Sequence, residues 1–320
     1  MKKLILAAAI AAVTANTATA ATVYDDKGLT FKIKGDWQVQ LRDNASKTKD
    51  TEVEFDDLEI KNAITYDLGN GLKAFGELHF GFKDEAEGKG PTGSDHLEEA
   101  FMGLKAHNVS VLFGKTNNAA NDFGVEKMKE EAFGKDIFDE IGRVEGDDLI
   151  RLDADFDVAR VAVSHELEAE GEGSADGQST EIFVEGGFDA VTLAAAYQVN
   201  EEDSSDDTQD LWGVSATFDA GFAKFGAEYG ESDSDDADEK ANFTNLVASF
   251  KASKTTKVSV GYAELDFDDA GEADIEQTYV NVTYKFPAQK NVRLFAEISN
   301  VDEDGKDLDM DILAGMRIKF

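Results

Sequence analysis

Carboxylates dominate the chemistry open to this sequence: 67 Asp and Glu stand against 31 Lys and Arg, a formal charge of −36. Acids are so frequent that two side by side carry no catalytic information. No nucleophile–base arrangement, G-x-S-x-G turn, P-loop or dinucleotide fingerprint accompanies them, so no enzyme activity and no cofactor are expected. The four histidines, His79, His96, His107 and His165, are scattered without the H-E-x-x-H spacing of a metal site, and no metal is expected. Asn300-x-Asp302-x-Asp304-Gly305, with Asp311 beyond it, carries part of the oxygen-ligand spacing of an EF-hand. Asn stands there for the first acid and Asp for the final bidentate Glu. The flanking runs alternate like strands rather than helices, so the segment reads as an acidic hairpin loop. Residues 201–207 and 233–239 read as solvated acidic loops that divalent cations could bridge without specificity. Nucleic acid is disfavoured as a partner, because this charge repels phosphate.

Side chains acquire positions from the elements that carry them, and here those elements alternate with a period of two. Leu308, Met310, Ile312, Ala314, Met316, Ile318 and Phe320 alternate with Asp309, Asp311, Leu313, Gly315, Arg317 and Lys319. A strand of that pattern has one apolar face and one mostly polar or small face. The rhythm recurs from residue 29 onward, for example Leu29, Phe31, Ile33, Trp37, Val39 and Leu41 against Lys32, Lys34, Asp36, Gln38, Gln40 and Arg42. About sixteen such runs can be placed. Their connections alternate between short ones, such as Gly69-Asn70-Gly71, and longer acidic ones, which puts all short turns on one rim and all long loops on the other. A soluble sandwich or propeller has strands of similar length but no need of that alternation. The expected fold is all-β: a 16-stranded antiparallel transmembrane β-barrel. Charges interrupt every apolar run, so only strands of about 9–11 tilted residues could cross a bilayer.

Composition agrees. The chain has 28 Gly, 2 Pro and no Cys, and both prolines, Pro91 and Pro287, fall between periodic runs, as a sheet requires. Without cysteine no disulfide can staple the fold, so ladder hydrogen bonds and burial must hold it. At the N-terminus Lys2 and Lys3, a short apolar run and Ala18-Thr19-Ala20 predict a secretory signal peptide over residues 1–20, cut before Ala21. Residues 21–320 would then form the barrel, two units more negative than the whole chain. One connection departs from the rest: residues 116–148 follow the fifth strand, exceed every other loop and contain a possible helical stretch over 126–132.

Several local stretches, in this order and spacing, carry a specific resemblance. They are Val23-Tyr24, Leu68-Gly69-Asn70-Gly71-Leu72-Lys73-Ala74, Ala100-Phe101-Met102-Gly103-Leu104-Lys105, Val111-Leu112-Phe113-Gly114-Lys115 and the terminal Phe320. Across nearly the whole of residues 21–320 the chain resembles a Gram-negative general diffusion porin. The resemblance implies a homotrimer of outer-membrane barrels among outer-membrane lipid and lipopolysaccharide, each passing small hydrophilic solutes and ions. It also implies that Phe320 is an assembly signal for the barrel-assembly machinery and that residues 116–148 are the infolded constriction loop.

In such porins a basic cluster on the wall faces acids on the infolded loop. Three wall positions that are usually basic fall here on Asp36, Asp57 and Glu98, Arg143 retains a basic role at the end of the loop, and Glu131 corresponds to the loop-side acid. Alternation independently turns Asp36 and Asp57 inward, whereas near Glu98 Ala100, Met102 and Leu104 compete with Phe101 and Gly103 for the outward face. Lys34, Arg42, Lys61 and Lys73 lie on polar phases and could compensate, and His79 reads as a polar residue of the same wall. Two unit charges 4 Å apart interact by roughly 4 kcal/mol at an effective dielectric near 20, so basic-to-acidic exchange changes the sign of a local potential. The expectation is a cation-selective pore. A substrate-specific channel with a saturable site and a non-conducting adhesion or structural barrel are the alternatives.

Overall fold

Alternation becomes strand almost everywhere in the computed structural model, which describes residues 20–46, 50–87, 96–125, 136–167, 177–201, 208–235, 240–268, 273–303 and 305–320. The first strands are β1 (Ala21–Asp26), β2 (Leu29–Asp43), β3 (Glu52–Gly69), β4 (Leu72–Gly81), β5 (Leu97–Ala106) and β6 (Val109–Asn117). After the long connection come β7 (Glu145–Asp155), β8 (Ala159–Glu166), β9 (Gln178–Phe188), β10 (Val191–Glu201), β11 (Thr208–Asp219) and β12 (Ala223–Ser234). The series ends with β13 (Lys240–Lys251), β14 (Thr256–Phe267), β15 (Ile275–Phe286), β16 (Gln289–Glu303) and β17 (Met310–Lys319).

From β2 onward every strand pairs antiparallel with the next, and β17 returns to pair with β2, from Ile312 opposite Asp43 to Lys319 opposite Asp36. The ring β2–β17 therefore has sixteen members, as expected, and has no free edge. The remaining strand, β1, extends the line of β17: Ala21 sits opposite Ile33, while Gly35 exchanges backbone hydrogen bonds of 2.7 and 2.9 Å with Phe320.

The two faces invert the arrangement of a soluble protein. On β15, Val280 and Val282 are 49% and 40% exposed, while Gln277, Tyr279, Asn281 and Thr283 between and beside them are at most 3% exposed. β17 repeats this, with Met310, Ile312 and Met316 exposed and Asp311 and Leu313 buried. An apolar exterior around a polar interior is stable only if lipid meets the outside and water or polar groups fill the inside.

Turn chemistry sets the rims. Lys27-Gly28 and Asn70-Gly71 take positive φ at both positions (53° and 82°, 55° and 79°), the twist that a two-residue hairpin needs. Connections alternate strictly, two to four residues on one rim and five to twenty-seven on the other. One boundary differs from expectation. The long connection is 118–144 rather than 116–148, because Thr116 and Asn117 still pair with Gly146 and Glu145 beyond a register shift. Backbone pairing is indifferent to the polarity that made those residues read as loop.

The principal apolar core joins the long connection to the wall. Ala119, Ala120, Phe123, Ile137 and Phe138 of the long connection pack with Phe183, Leu211, Phe243 and Leu265 from the wall.

Candidate functional site

Two charged clusters occupy adjoining stretches of the inner wall. The first joins β2, β3 and β17. Register brings Lys319 opposite Asp36, so both basic side chains of β17 reach β2. Arg317 Nε donates to Asp36 Oδ1 (2.7 Å), Arg317 Nη1 to Gln38 Oε1 (3.0 Å), and Lys319 Nζ lies 2.7 Å from Asp36 Oδ2. Asp57 joins through a β-bulge: Trp37 pairs with Leu58 but Val39 with Phe55, leaving Asp56 and Asp57 together opposite Gln38. Asp57 Oδ2 ends 2.5 Å from Arg317 Nη2. Asp36 and Asp57 thus face inward as alternation predicted, but each is held by a cation from the closing strand.

The second cluster centres on His79 of β4, which is 4% exposed. Its Nε2 lies 2.9 Å from Glu59 Oε2 of β3 and 2.8 Å from Glu98 Oε2 of β5, and its Nδ1 lies 3.1 Å from Glu99 Oε1. Two successive glutamates can turn the same way because β5 bulges there: His79 pairs with Glu99 but Phe80 with Leu97, which inserts Glu98 as an extra residue. Opposite it stands Gly81, where a Cβ would come within 1.8 Å of Glu98 Oε1. Thr116 Oγ1 donates to Glu99 Oε2 (2.7 Å), and Lys61 Nζ sits 3.7 Å from Glu59 and 3.6 Å from Glu99.

The other expected wall residues are placed as follows. Lys34 reaches Glu77 at 3.9 Å, while Arg42 binds Asp311 through Nε and Nη2 (2.8–3.1 Å) and lies 3.6 Å from Glu54. Lys73 is exposed beside the Asn70-Gly71 turn. Glu131 and the possible helical stretch over 126–132 lie outside the described residues. Arg143 is not brought to the Asp36–Asp57 cluster. Its backbone N–H donates to Gln198 Oε1 of β10 (2.9 Å), its carbonyl accepts from Gln198 and Asn118, and its guanidinium donates to the Gly177 carbonyl (3.4 Å). In a ring of sixteen β10 stands eight places from β2, directly across.

Both described flanks of the long connection rest on that far side. Ala119 N–H donates to Ser164 Oγ of β8 (2.7 Å), and Val125 N–H to Glu228 Oε2 of β12 (2.5 Å). Arg151 donates to the Asn117 and Asn118 carbonyls (3.0 and 2.6 Å) and pairs with Asp122, which Arg160 also binds at 2.8 Å. Glycines on the wall make room for the apolar side chains. A Cβ on Gly213 would be 2.7 Å from the Phe123 ring, and one on Gly230 would be 2.6 Å from Ile137. Asp136 caps the short helical turn Ile137–Glu140 by accepting from the N–H groups of Phe138 and Asp139 (2.9 and 3.1 Å). The charged wall and the flanks of 118–144 therefore lie on opposite halves of one closed ring.

The family described as Gram-negative porin matches residues 7–306. The chain belongs to that family. This porin is 25% identical over 349 residues to porin-like protein H of Photobacterium profundum, with 100% of each chain covered. It is 34% identical over 133 residues to the major outer membrane protein of Pasteurella multocida, covering 39% of this chain and 38% of that one. Among solved structures, the porin superposes on Salmonella typhi OmpF with a TM-score of 0.75 at 17% identity, covering 94% of this chain and 100% of the other. An anion-selective porin from Comamonas acidovorans gives 0.77 at 15% identity over 91% and 100%. The trimer form of OmpT from Vibrio cholerae gives 0.73 at 16% over 92% and 100%. At such identities these structures speak for the fold. Family and barrel together make the porin an outer-membrane channel.

Arg317, Lys319, Glu59 and Glu99 complete the two clusters and were not singled out from sequence. Arg317 and Lys319 do lie on the polar phase of the last strand, a signal that becomes specific only once β17 is known to meet β2.

Proposed function

We propose that this porin is a passive channel for small hydrophilic solutes and ions, narrowed by the 118–144 connection and preferring cations. Support for the narrowing comes from the flanks of that connection, which pack on side chains of the half of the wall opposite the charged clusters. The observation that carries the cation preference is the excess of acids facing inward. Among the described residues, the buried acids of the wall are Glu181, Glu228, Glu297 and Asp311, against Arg151 and His79. Asp36 and Asp57 contribute less than their exchange from basic residues suggests, since Arg317 and Lys319 sit among them. The excess lies instead at Glu59, Glu98 and Glu99, which outnumber Lys61 and His79, and along the wall beyond. Carboxylates lining a water-filled passage lower the energy of cations within it.

A homotrimer is the assembly we favour, supported by family membership and by the trimeric form of one structural neighbour. Residues 1–20 would direct export and be removed, Phe320 would mark the chain for the assembly machinery, and lipopolysaccharide would meet the exterior.

Purified porin in a planar bilayer under a KCl gradient tests these points together. We expect stepwise conductance, closing in groups of three, and a reversal potential of the sign set by K⁺. A chloride preference overturns the selectivity. A barrel that inserts without conducting would be structural, and current that saturates with one solute would mark a substrate-specific channel.

A further inference from the structure

We infer that Glu59, His79 and Glu98 form a binding site for a divalent transition-metal ion of the Zn²⁺ class on the inner wall. One imidazole nitrogen and two carboxylate oxygens, from three neighbouring strands, lie within 4.8 Å of one another. That donor set suits Zn²⁺ and its first-row neighbours, whereas Mg²⁺ and Ca²⁺ prefer oxygen alone.

A charged surface cluster would show the same residue types, but two further observations point to a ligand. His79 is buried, and its Nε2 has no hydrogen-bond partner of acceptable geometry although two carboxylate oxygens lie 2.8 and 2.9 Å away. A proton on Nε2 would be poorly directed at either oxygen, whereas a metal takes the imidazole lone pair together with oxygens on either side. Behind the ring, Nδ1 faces Glu99 Oε1 at 3.1 Å, and Thr116 Oγ1 holds the other oxygen of Glu99 at 2.7 Å. A carboxylate accepting from the rear N–H is the arrangement that orients metal-bound histidines and leaves Nε2 as the ligand atom.

The backbone builds the site as well. The bulge in β5 turns Glu98 toward His79, and Gly81 leaves the space that its carboxylate enters. Three protein ligands leave a coordination position open toward the lumen, as in zinc sites that keep a water. Lys61 is the local competitor, 3.7 Å from Glu59; its side chain is 31% exposed and has room to swing aside. The site shares Glu59 and Glu98 with the acidic excess invoked for cation preference, but Zn²⁺ uptake is read without current, so failure of the one is distinguishable from failure of the other.

Calorimetric titration of the folded porin in detergent with ZnCl₂, under a large excess of Mg²⁺ to occupy the acidic loops, provides the test. We expect one saturable Zn²⁺ per chain, weakened at least about tenfold by His79→Ala and by Glu98→Gln, and about 10–100-fold by the positioning change Glu99→Gln. Zn²⁺ uptake that Mg²⁺ abolishes, or that all three variants retain, overturns the assignment. Should a variant fail to fold, zinc-edge X-ray absorption of the unmodified porin decides: a histidine nitrogen in the first shell supports the site, and a shell of oxygens alone overturns it.

Discussion

Gly35 is the point where β1 and β17 meet along β2. Its backbone exchanges two hydrogen bonds with Phe320, whose ring stands edge-on to Trp37 with centroids 5.2 Å apart. A Cβ at Gly35 would lie 2.2 Å from Phe320 Cζ, so either the ring or the strand would have to move. Overpacking of this kind costs about 1–3 kcal/mol. Gly35→Ala is therefore expected to lower the urea midpoint of the folded barrel. Gly187→Ala, at a strand glycine with no atom within 4 Å of the added carbon, should leave it unchanged. Equal midpoints for both variants would show that the Phe320 contact is not tight.

Among elements, the 118–144 connection is the one whose anchoring can change without opening the ring. Phe123 and Phe138, both at most 1% exposed, meet edge-on at 5.3 Å against the wall. Phe123→Ala removes the larger part of that contact, a change that costs about 3–5 kcal/mol in a core unable to collapse. The strand ladders do not depend on this ring, so the loss should fall on the anchor rather than on the barrel. The expected outcome is a larger and noisier single-channel conductance in a planar bilayer, with the urea midpoint nearly unchanged. Conductance identical to that of the unmodified porin would mean that these flanks do not restrict the passage.

For the whole molecule, closure and electrostatics meet at one side chain. Arg317 ties β17 to Asp36 on β2, 281 residues away in sequence, and to Asp57 on β3. Arg317→Gln would leave two facing carboxylates without their main counter-charge. Removing one partner of a charged hydrogen-bonded pair costs about 1–3 kcal/mol where water can enter, and the Arg317 side chain is 18% exposed. The variant should unfold at lower urea and shift the KCl reversal potential further toward K⁺. Screening confines this effect to ions passing within about 8 Å at physiological salt, so the shift also reports how near the ion path runs to Arg317. No shift, or one toward chloride, would place the path elsewhere.

What the sequence determined by itself were the properties that belong to a single strand or turn. Period-two alternation placed Asp36 and Asp57 on the inward phase, the alternation of Asn70-Gly71-type turns with long loops described the rims, and the sixteen members of the ring could be counted. Each follows from backbone geometry over a few residues. Only the tertiary structure decided which groups meet. The bulges at Asp56–Asp57 and at Glu98 shift the inward phase by one residue, and nothing in the side chains announces them. Whether Arg317 neutralises Asp36, and whether Glu59, His79 and Glu98 converge, depends on register between neighbouring strands. Register is set by the closure of the whole ring, and a one-residue slip would turn every one of these side chains to the lipid.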